Sequence, residues 1–315
     1  MQYGFGVDLG GTTVKLAYFS GDGQMLDKWE IPTRTANNGE SILQDIAASI
    51  RQYLDGKQIP DSQILGIGIG VPGPVDRQGY VRGCDNLGWG RFHVEAELSA
   101  LTGFPVKAGN DANLAALGEC WKGSGQGYTE LVMVTLGTGV GGGILVDGKP
   151  MTGAGGAAGE LGHMVLCREE TEKCGCGKCG CVEQYCSATG VVRLAKRYLE
   201  SHDCPSVLRQ SSALTCKDVF DAGNGGDPAA AAILQQYYSL LGEFLASVCG
   251  VLNPQAVILG GGVSKAGNVL LEGVMPHFRR WAFHGATDTC LILATLGNDA
   301  GAYGAFRLAQ QAFCK

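Results

Sequence analysis

One histidine and four cysteines, His163, Cys174, Cys176, Cys179 and Cys181, fall within twenty residues and are spaced by glycines. Thiolates and imidazole are zinc ligands, and a closed structural site takes four of them, a requirement that three thiolates plus one imidazole meet. Cys176-Gly177-Lys178-Cys179 also has the C-x-x-C spacing of a redox pair. Glycines on both sides leave it without the helix terminus that would activate a thiolate, so zinc is the expected chemistry. Cys167, Cys186 and the other cysteines read as small buried residues rather than ligands. The total of thirteen is odd, and several cysteines stand too close together to pair, which favours a reducing compartment and metal binding over a disulfide framework.

A second chemistry is written in glycine and threonine. Gly10-Gly11-Thr12-Thr13 and Gly137-Thr138-Gly139-Val140-Gly141 each follow an apolar strand. Gly137 to Gly142 also satisfy the dinucleotide pattern G-x-G-x-x-G, but that pattern must open a helix, and Gly143 to Val146 continue as a strand. Two hairpins with exposed backbone N–H groups and threonine hydroxyls, able to approach polyphosphate oxygens, are the better reading; a pair of bare tight turns is the alternative. Asp8 ends the first strand beside its hairpin, where a carboxylate suits magnesium on phosphate, directly or through water, or else caps a turn. Asn110-Asp111-Ala112-Asn113 starts a helix whose positive terminus keeps Asp111 ionised, so Asp111 can accept a hydroxyl proton or serve as an N-cap.

The elements that position these groups alternate. Tyr3 to Asp8, a turn and Thr13 to Phe19 form one strand hairpin; Leu131 to Thr135, a turn and Val140 to Val146 repeat it, implying two related α/β halves. Between them lie an amphipathic helix near Ser41 to Leu54, a buried strand near Ile64 to Gly70 and the helix opening at Asp111. Beyond the Cys/Gly-rich insert come a helix from Ser187 and a long helix capped by Asp227-Pro228 that stops before Asn253-Pro254. The strand Ala256 to Leu259 then meets Gly260-Gly261-Gly262, and a last helix, Asp299 to Ala312, crosses back onto the first half.

With 315 residues, 45% hydrophobic and 17% charged, the chain is long and apolar enough for two globular domains. A net charge of -6 without a Lys/Arg cluster argues against a nucleic-acid surface. No signal peptide is visible at the N-terminus, and the uncharged stretch 131–146 is glycine-broken and shorter than the ~20 residues a membrane helix needs. Cytoplasmic residence is therefore expected, with neither a nucleic-acid nor a membrane partner.

Taken in order, these motifs resemble the ROK family of sugar kinases and repressors, and within it the bacterial glucokinases, over nearly the whole chain. The carriers are Asp8 to Lys15, Val71-Pro72-Gly73-Pro74, Asn86-Leu87-Gly88-Trp89, Asn110 to Asn113 and Leu136 to Gly143. Glu160-x-Gly162-His163, the C-x-C-G-x-x-G-C-x-E run from Cys174 to Glu183, and Leu259 to Gly262 complete the set. The resemblance implies an actin-like ATPase (ribonuclease H-like) fold of two α/β lobes around a cleft. The small lobe would comprise residues 1–112 and the C-terminal helix 299–315, and the large lobe residues 113–298 with the zinc insert. It further implies ATP-dependent phosphorylation of glucose at the 6-hydroxyl.

Asn86, Asn110, Asp111, Glu160, His163 and Glu183 would hold sugar hydroxyls near Gly73, with Asp111 the general base. ATP would lie against Asp8, Gly10, Gly11, Thr12, Thr13, Lys15, Thr135, Gly137, Thr138 and Gly139, with adenosine near Gly260, Gly261 and Gly262 and Mg²⁺ at Asp8. The family pattern assigns zinc to His163, Cys174, Cys176 and Cys181, leaving Cys179, at a variable position, as a fifth candidate ligand. It also implies a homodimer. The family includes kinases for N-acetylmannosamine, N-acetylglucosamine, fructose and allose that share most of these motifs. Its sugar-sensing repressors need a DNA-binding helix-turn-helix, for which a hairpin starting at residue 3 leaves no room. A zinc-ribbon binding module would need basic and aromatic residues absent from the insert.

Overall fold

Burial of Phe5, Val7 and Leu9 draws Tyr3–Leu9 into a strand, β1, and a hydrogen bond from the Gly10 N–H to the Thr13 carbonyl returns the chain as β2, Thr13–Ser20. In this computed structural model, which describes residues 2–314, β3 (Met25–Pro32) and α1 (Ile42–Lys57) follow, and then β4 (Ile64–Val71). A small ribbon of β5 (Tyr80–Val81) and β6 (Phe92–His93) leads to α2 (Val94–Thr102), β7 (Val106–Asn110) and α3 (Asp111–Lys122). The first sheet has the order β3-β2-β1-β4-β7, with β1, β4 and β7 parallel and β2 and β3 antiparallel to their neighbours.

The same order recurs. Strands β8 (Leu131–Leu136), β9 (Val140–Val146) and β10 (Lys149–Pro150) form a meander. After the Cys-rich segment come α4 (Glu183–Cys186), α5 (Ala188–Ser201), α6 (Cys216–Asn224) and α7 (Pro228–Leu252). Strand β11 (Ala256–Gly260), helix α8 (Asn268–Trp281), strand β12 (Cys290–Leu293) and helix α9 (Ala300–Phe313) close the chain. The second sheet runs β10-β9-β8-β11-β12, position for position the topology of the first, so the echo between the two hairpins reflects a repeated α/β plan. Local signals placed the helix ends: the Asp227 side chain accepts from the Ala230 N–H with Pro228 in the first turn, and Asn253 ends α7 in a left-handed conformation.

The chain divides into two compact units. One holds the residues up to Thr129, Gly143–Gly159 and everything from Thr295 onward; the other holds Glu130–Gly142 and Glu160–Ala294. This differs from the expected boundaries of 112/113 and 298/299, because α3 stays with the first sheet. The reason is a backbone contact between α3 and α9: a Cβ on Gly304 would collide with the Leu114 carbonyl oxygen, and one on Gly118 with that of Ala300. On the sheet side, a Cβ on Gly68 would collide with the Ala305 carbonyl oxygen. At these glycines the last helix meets β4 and α3 backbone to backbone, while Phe306 stacks on Phe19 of β2.

Gly304→Ala tests this packing. By helix propensity alone it should stabilise by about 1 kcal/mol. Overpacking should outweigh that and leave a net loss of about 1–3 kcal/mol, read as a lower denaturation midpoint.

Candidate active site and metal centre

In the first unit, register places Asp8 opposite Lys15 on β2 and beside Gly70 on β4. Asp8 Oδ2 lies 3.5 Å from Lys15 Nζ, which also donates to the Asn298 carbonyl at 3.4 Å. Burial pushes the Asp8 carboxyl above its ordinary range, and Lys15 opposes that only in part. Lys15, expected at the phosphates, also contacts Asp8. On the other side Asp8 abuts Gly301 of α9, where a Cβ would stand 2.7 Å from the carboxylate carbon. Gly11 and Thr12 are exposed at the hairpin tip, and their N–H groups make no hydrogen bond among the described residues.

Asn110 and Asp111 divide the roles that local sequence left open. Asn110 is the N-cap of α3, accepting from the Asn113 N–H at 3.1 Å, while its amide donates to the Gly73 carbonyl at 3.2 Å and to Asp111 Oδ1 at 3.0 Å. Asp111 is the first helical residue, and its Oδ1 also accepts from the Ala112 N–H at 2.7 Å. Three expected sugar-binding positions, Gly73, Asn110 and Asp111, are thus joined. Gly73 has φ +149°, and a Cβ there would press on the Gly83 carbonyl, so glycine is required. Asn86 stands exposed on the short turn Asp85–Leu87.

In the second unit the hairpin from Gly137 to Gly139 is closed by the Gly137 N–H donating to the Gly139 carbonyl. Here sequence reasoning missed a partner. Glu183 Oε2 accepts the Val140 N–H at 3.0 Å and packs against Gly139, where any Cβ would strike the carboxylate. Glu183, expected only as a sugar ligand, thereby props the hairpin; no local signal marks a contact across 43 residues. Thr135 pairs with Gly260 in the ladder, and Gly261, at φ +82°, lies against the Leu136 backbone, bringing the triple glycine beside the hairpin. Thr189, on α5, donates to the Thr138 carbonyl at 2.8 Å. From there an open cavity of about 640 Å³ runs between Thr138, Thr189, Arg193, Lys196 and Cys216, which sequence reading did not anticipate.

His163, Cys174, Cys176 and Cys181 each offer one ligand atom, all within 4.8 Å of one another. Cys176 and Cys181 Sγ are 3.6 Å apart, and Cys174 Sγ is 3.9 Å from His163 Nδ1. Tetrahedral Zn–S bonds of about 2.3 Å put neighbouring ligands about 3.8 Å apart, so the donor set fits such an ion in both chemistry and span. Burial raises the Cys174 thiol and pushes Cys181 up to about 12, whereas a backbone N–H of Lys178 lowers Cys176. Cys179 is outside the cluster: its Sγ faces the Thr171 carbonyl at 3.5 Å. Cys174 Sγ lies 3.5 Å from Glu183 Oε1, so the cluster adjoins the residue that props the hairpin. Glu160 is exposed just before the turn Leu161–His163, its carbonyl accepting the His163 N–H.

Comparison with known proteins gives one consistent answer. The model of the ROK family matches residues 4–312. A glucokinase of Halalkalibacterium halodurans is 40% identical over 311 residues, 97% of this chain and 94% of that protein. An N-acetylgalactosamine kinase of Shewanella is 32% identical over 96% of this chain and 94% of its own length. Among solved structures, a ROK family glucokinase from Streptomyces griseus in complex with glucose and AMPPNP has a TM-score of 0.78 at 33% identity, covering 98% of this chain and 99% of that one.

Elemental analysis checks the ligand assignment. Cys179→Ser should keep the full metal content of the parent, whereas Cys181→Ser should lose most of it. Equal loss from both would return Cys179 to the ligand set.

Proposed function

This chain belongs to the ROK family, and from that premise we propose that it is a glucokinase, transferring the γ-phosphoryl group of ATP to the 6-hydroxyl of glucose. The full-length likeness to glucokinases carries the reading, and the site geometry supports it. Each sheet turns out a Gly/Thr hairpin after its first strand, and in each case tip N–H groups remain unbonded among the described residues. Such groups suit the β- and γ-phosphates. The cavity that begins at Thr138 and runs along α5 suits adenosine in size, although Gly260 to Gly262, where the contact was expected, do not line it.

Asp111 is the proposed general base. Its place at the start of α3 favours the ionised form, and the Asn110 amide and the Ala112 N–H hold its Oδ1. As the sugar O6 attacks phosphorus in line, its proton passes to Asp111 and ADP leaves, with hairpin N–H groups taking charge that spreads over the equatorial oxygens. Asp8 is the residue that would hold Mg²⁺, whose chemistry when bound is to neutralise phosphate charge; one carboxylate suffices for an ion that keeps several waters. Asn86, Asn110, Asp111, Glu160, His163 and Glu183 are the proposed hexose ligands, on the family resemblance.

His163, Cys174, Cys176 and Cys181 would hold Zn²⁺, which supplies orientation: with Nδ1 on the metal side, His163 keeps Nε2 for a sugar hydroxyl. Among the described residues no helix is long and apolar enough to cross a membrane. Cytoplasmic residence rests on the sequence reading and a homodimer on the family resemblance, and sedimentation checks the second.

Asp111→Asn should reduce kcat by about 10²- to 10⁴-fold with a milder effect on glucose KM. Near-normal turnover in folded protein would remove Asp111 from its role. ADP release measured across glucose, mannose, fructose and the N-acetylhexosamines should show the highest kcat/KM for glucose. A higher value for an N-acetylhexosamine would keep the kinase and change its sugar; activity with none would reject the kinase reading.

A further inference from the structure

Outside the groups used above, the most heavily bonded carboxylate in the second unit is Glu170, four residues before the first cysteine ligand. Its side chain is 2% exposed. It accepts two hydrogen bonds from Arg197, at 2.9 and 3.1 Å, one from Arg193, one from the Tyr185 hydroxyl at 2.5 Å, and two from the Thr171 and Glu172 N–H groups, each at 2.9 Å. These partners, Arg197 foremost, hold its carboxyl well below the usual carboxylate range. Glu172 completes the arrangement, accepting from Arg193 Nε at 2.9 Å and lying 3.3 Å from Arg197.

Arg193 and Arg197 are one turn apart on α5, and both line the cavity that starts at Thr138. A guanidinium has many rotamers, and holding two of them side by side against their mutual repulsion needs anions behind them. Glu170 and Glu172 provide these. They also offset the charge of the two arginines, so that Lys196 is the one cation of that wall without an ion pair among the described residues. A buried Glu–Arg pair is a weak source of net stability but fixes geometry well, since only one arrangement satisfies every donor. The result is a pair of anchored arginines on the wall of a cavity of a size that suits a nucleoside.

We propose that Glu170 is a positioning residue for the phosphoryl donor: it locks Arg193 and Arg197 into the wall against which the nucleoside part of ATP rests. The proposal relies on the reading that this cavity takes the nucleotide. It joins the metal segment to donor binding, because Gln184 ties the same network to the cluster, accepting from the Cys181 N–H at 3.1 Å and donating to the Glu172 carbonyl at 3.0 Å.

Glu170→Gln keeps the shape and removes the charge. In the full-length protein it should raise KM for ATP and the inhibition constant of ADP about tenfold, the effect of losing roughly 1.4 kcal/mol of binding. The glucose KM, kcat and metal content should stay within twofold. Tyr185→Phe, which removes one hydrogen bond and disturbs folding less, should move the ATP KM in the same direction by about threefold. A glucose KM that rises as much as the ATP KM, or a metal content that falls with it, would make Glu170 a general structural residue and overturn the proposal. Val192→Arg, which fills the cavity, separates the two ideas. If it leaves ATP binding unchanged, the nucleotide lies elsewhere and the proposal fails with that reading. If it weakens ATP binding while Glu170→Gln and Tyr185→Phe do not, the cavity stands and Glu170 has no positioning role.

Discussion

The first unit depends on one steric constraint, the close approach of the α9 backbone to β4 and to α3 at a few glycines. Gly304 and Gly118 admit the helix pair, and Gly68 admits the helix onto β4. Close approach removes the freedom of α9 to slide, because backbone carbonyls cannot change rotamer as side chains do. Two chemical groups inherit that rigidity. Asp8 is pressed from one side by Gly301, and Asp111 opens the helix that α9 packs against.

A second pattern is the use of carboxylates to hold backbone rather than to pair with surface charges. Glu119 is fully buried and accepts the N–H groups of Ser124 at 3.0 Å, Thr295 at 3.0 Å and Leu296 at 2.7 Å, fixing the chain where it re-enters the first unit. Glu183 does the same for Val140 at the second hairpin, and Glu170 for the segment leading to the cysteines. A carboxylate bonded to backbone N–H groups is costly to move, which suits loops that must hold a shape without regular secondary structure. Exposed pairs such as Lys217–Asp221 lack that leverage, being screened by water.

The Cys-rich segment ties these features together in the second unit. Its ligand cluster touches Glu183, which props the hairpin, and its flanks reach α5 through Glu170, Glu172 and Gln184. A metal bound there would stiffen the hairpin and the cavity wall at once, giving the ion a structural reach well beyond its four ligands.

Much of the protein was legible in the residues themselves. The two strand hairpins, the Asp227-Pro228 start and Asn253 end of α7, the α/β alternation and the order of the family motifs rest on local chemistry: caps, periodicity and turn residues act within a few positions of one another. The position of Cys179 outside the cluster, the second role of Glu183, the retention of α3 by the first unit, the contact of Lys15 with Asp8 and the cavity along α5 were not legible. Each depends on where a side chain meets another element of the fold. The Cys179 spacing is as good for a ligand as that of its neighbours, and only the path of the loop turns its sulfur toward Thr171. Sequence by itself determined which chemical groups are present and which local elements carry them. Tertiary structure decided which of them meet, because contacts between distant residues are set by packing and leave no mark in spacing.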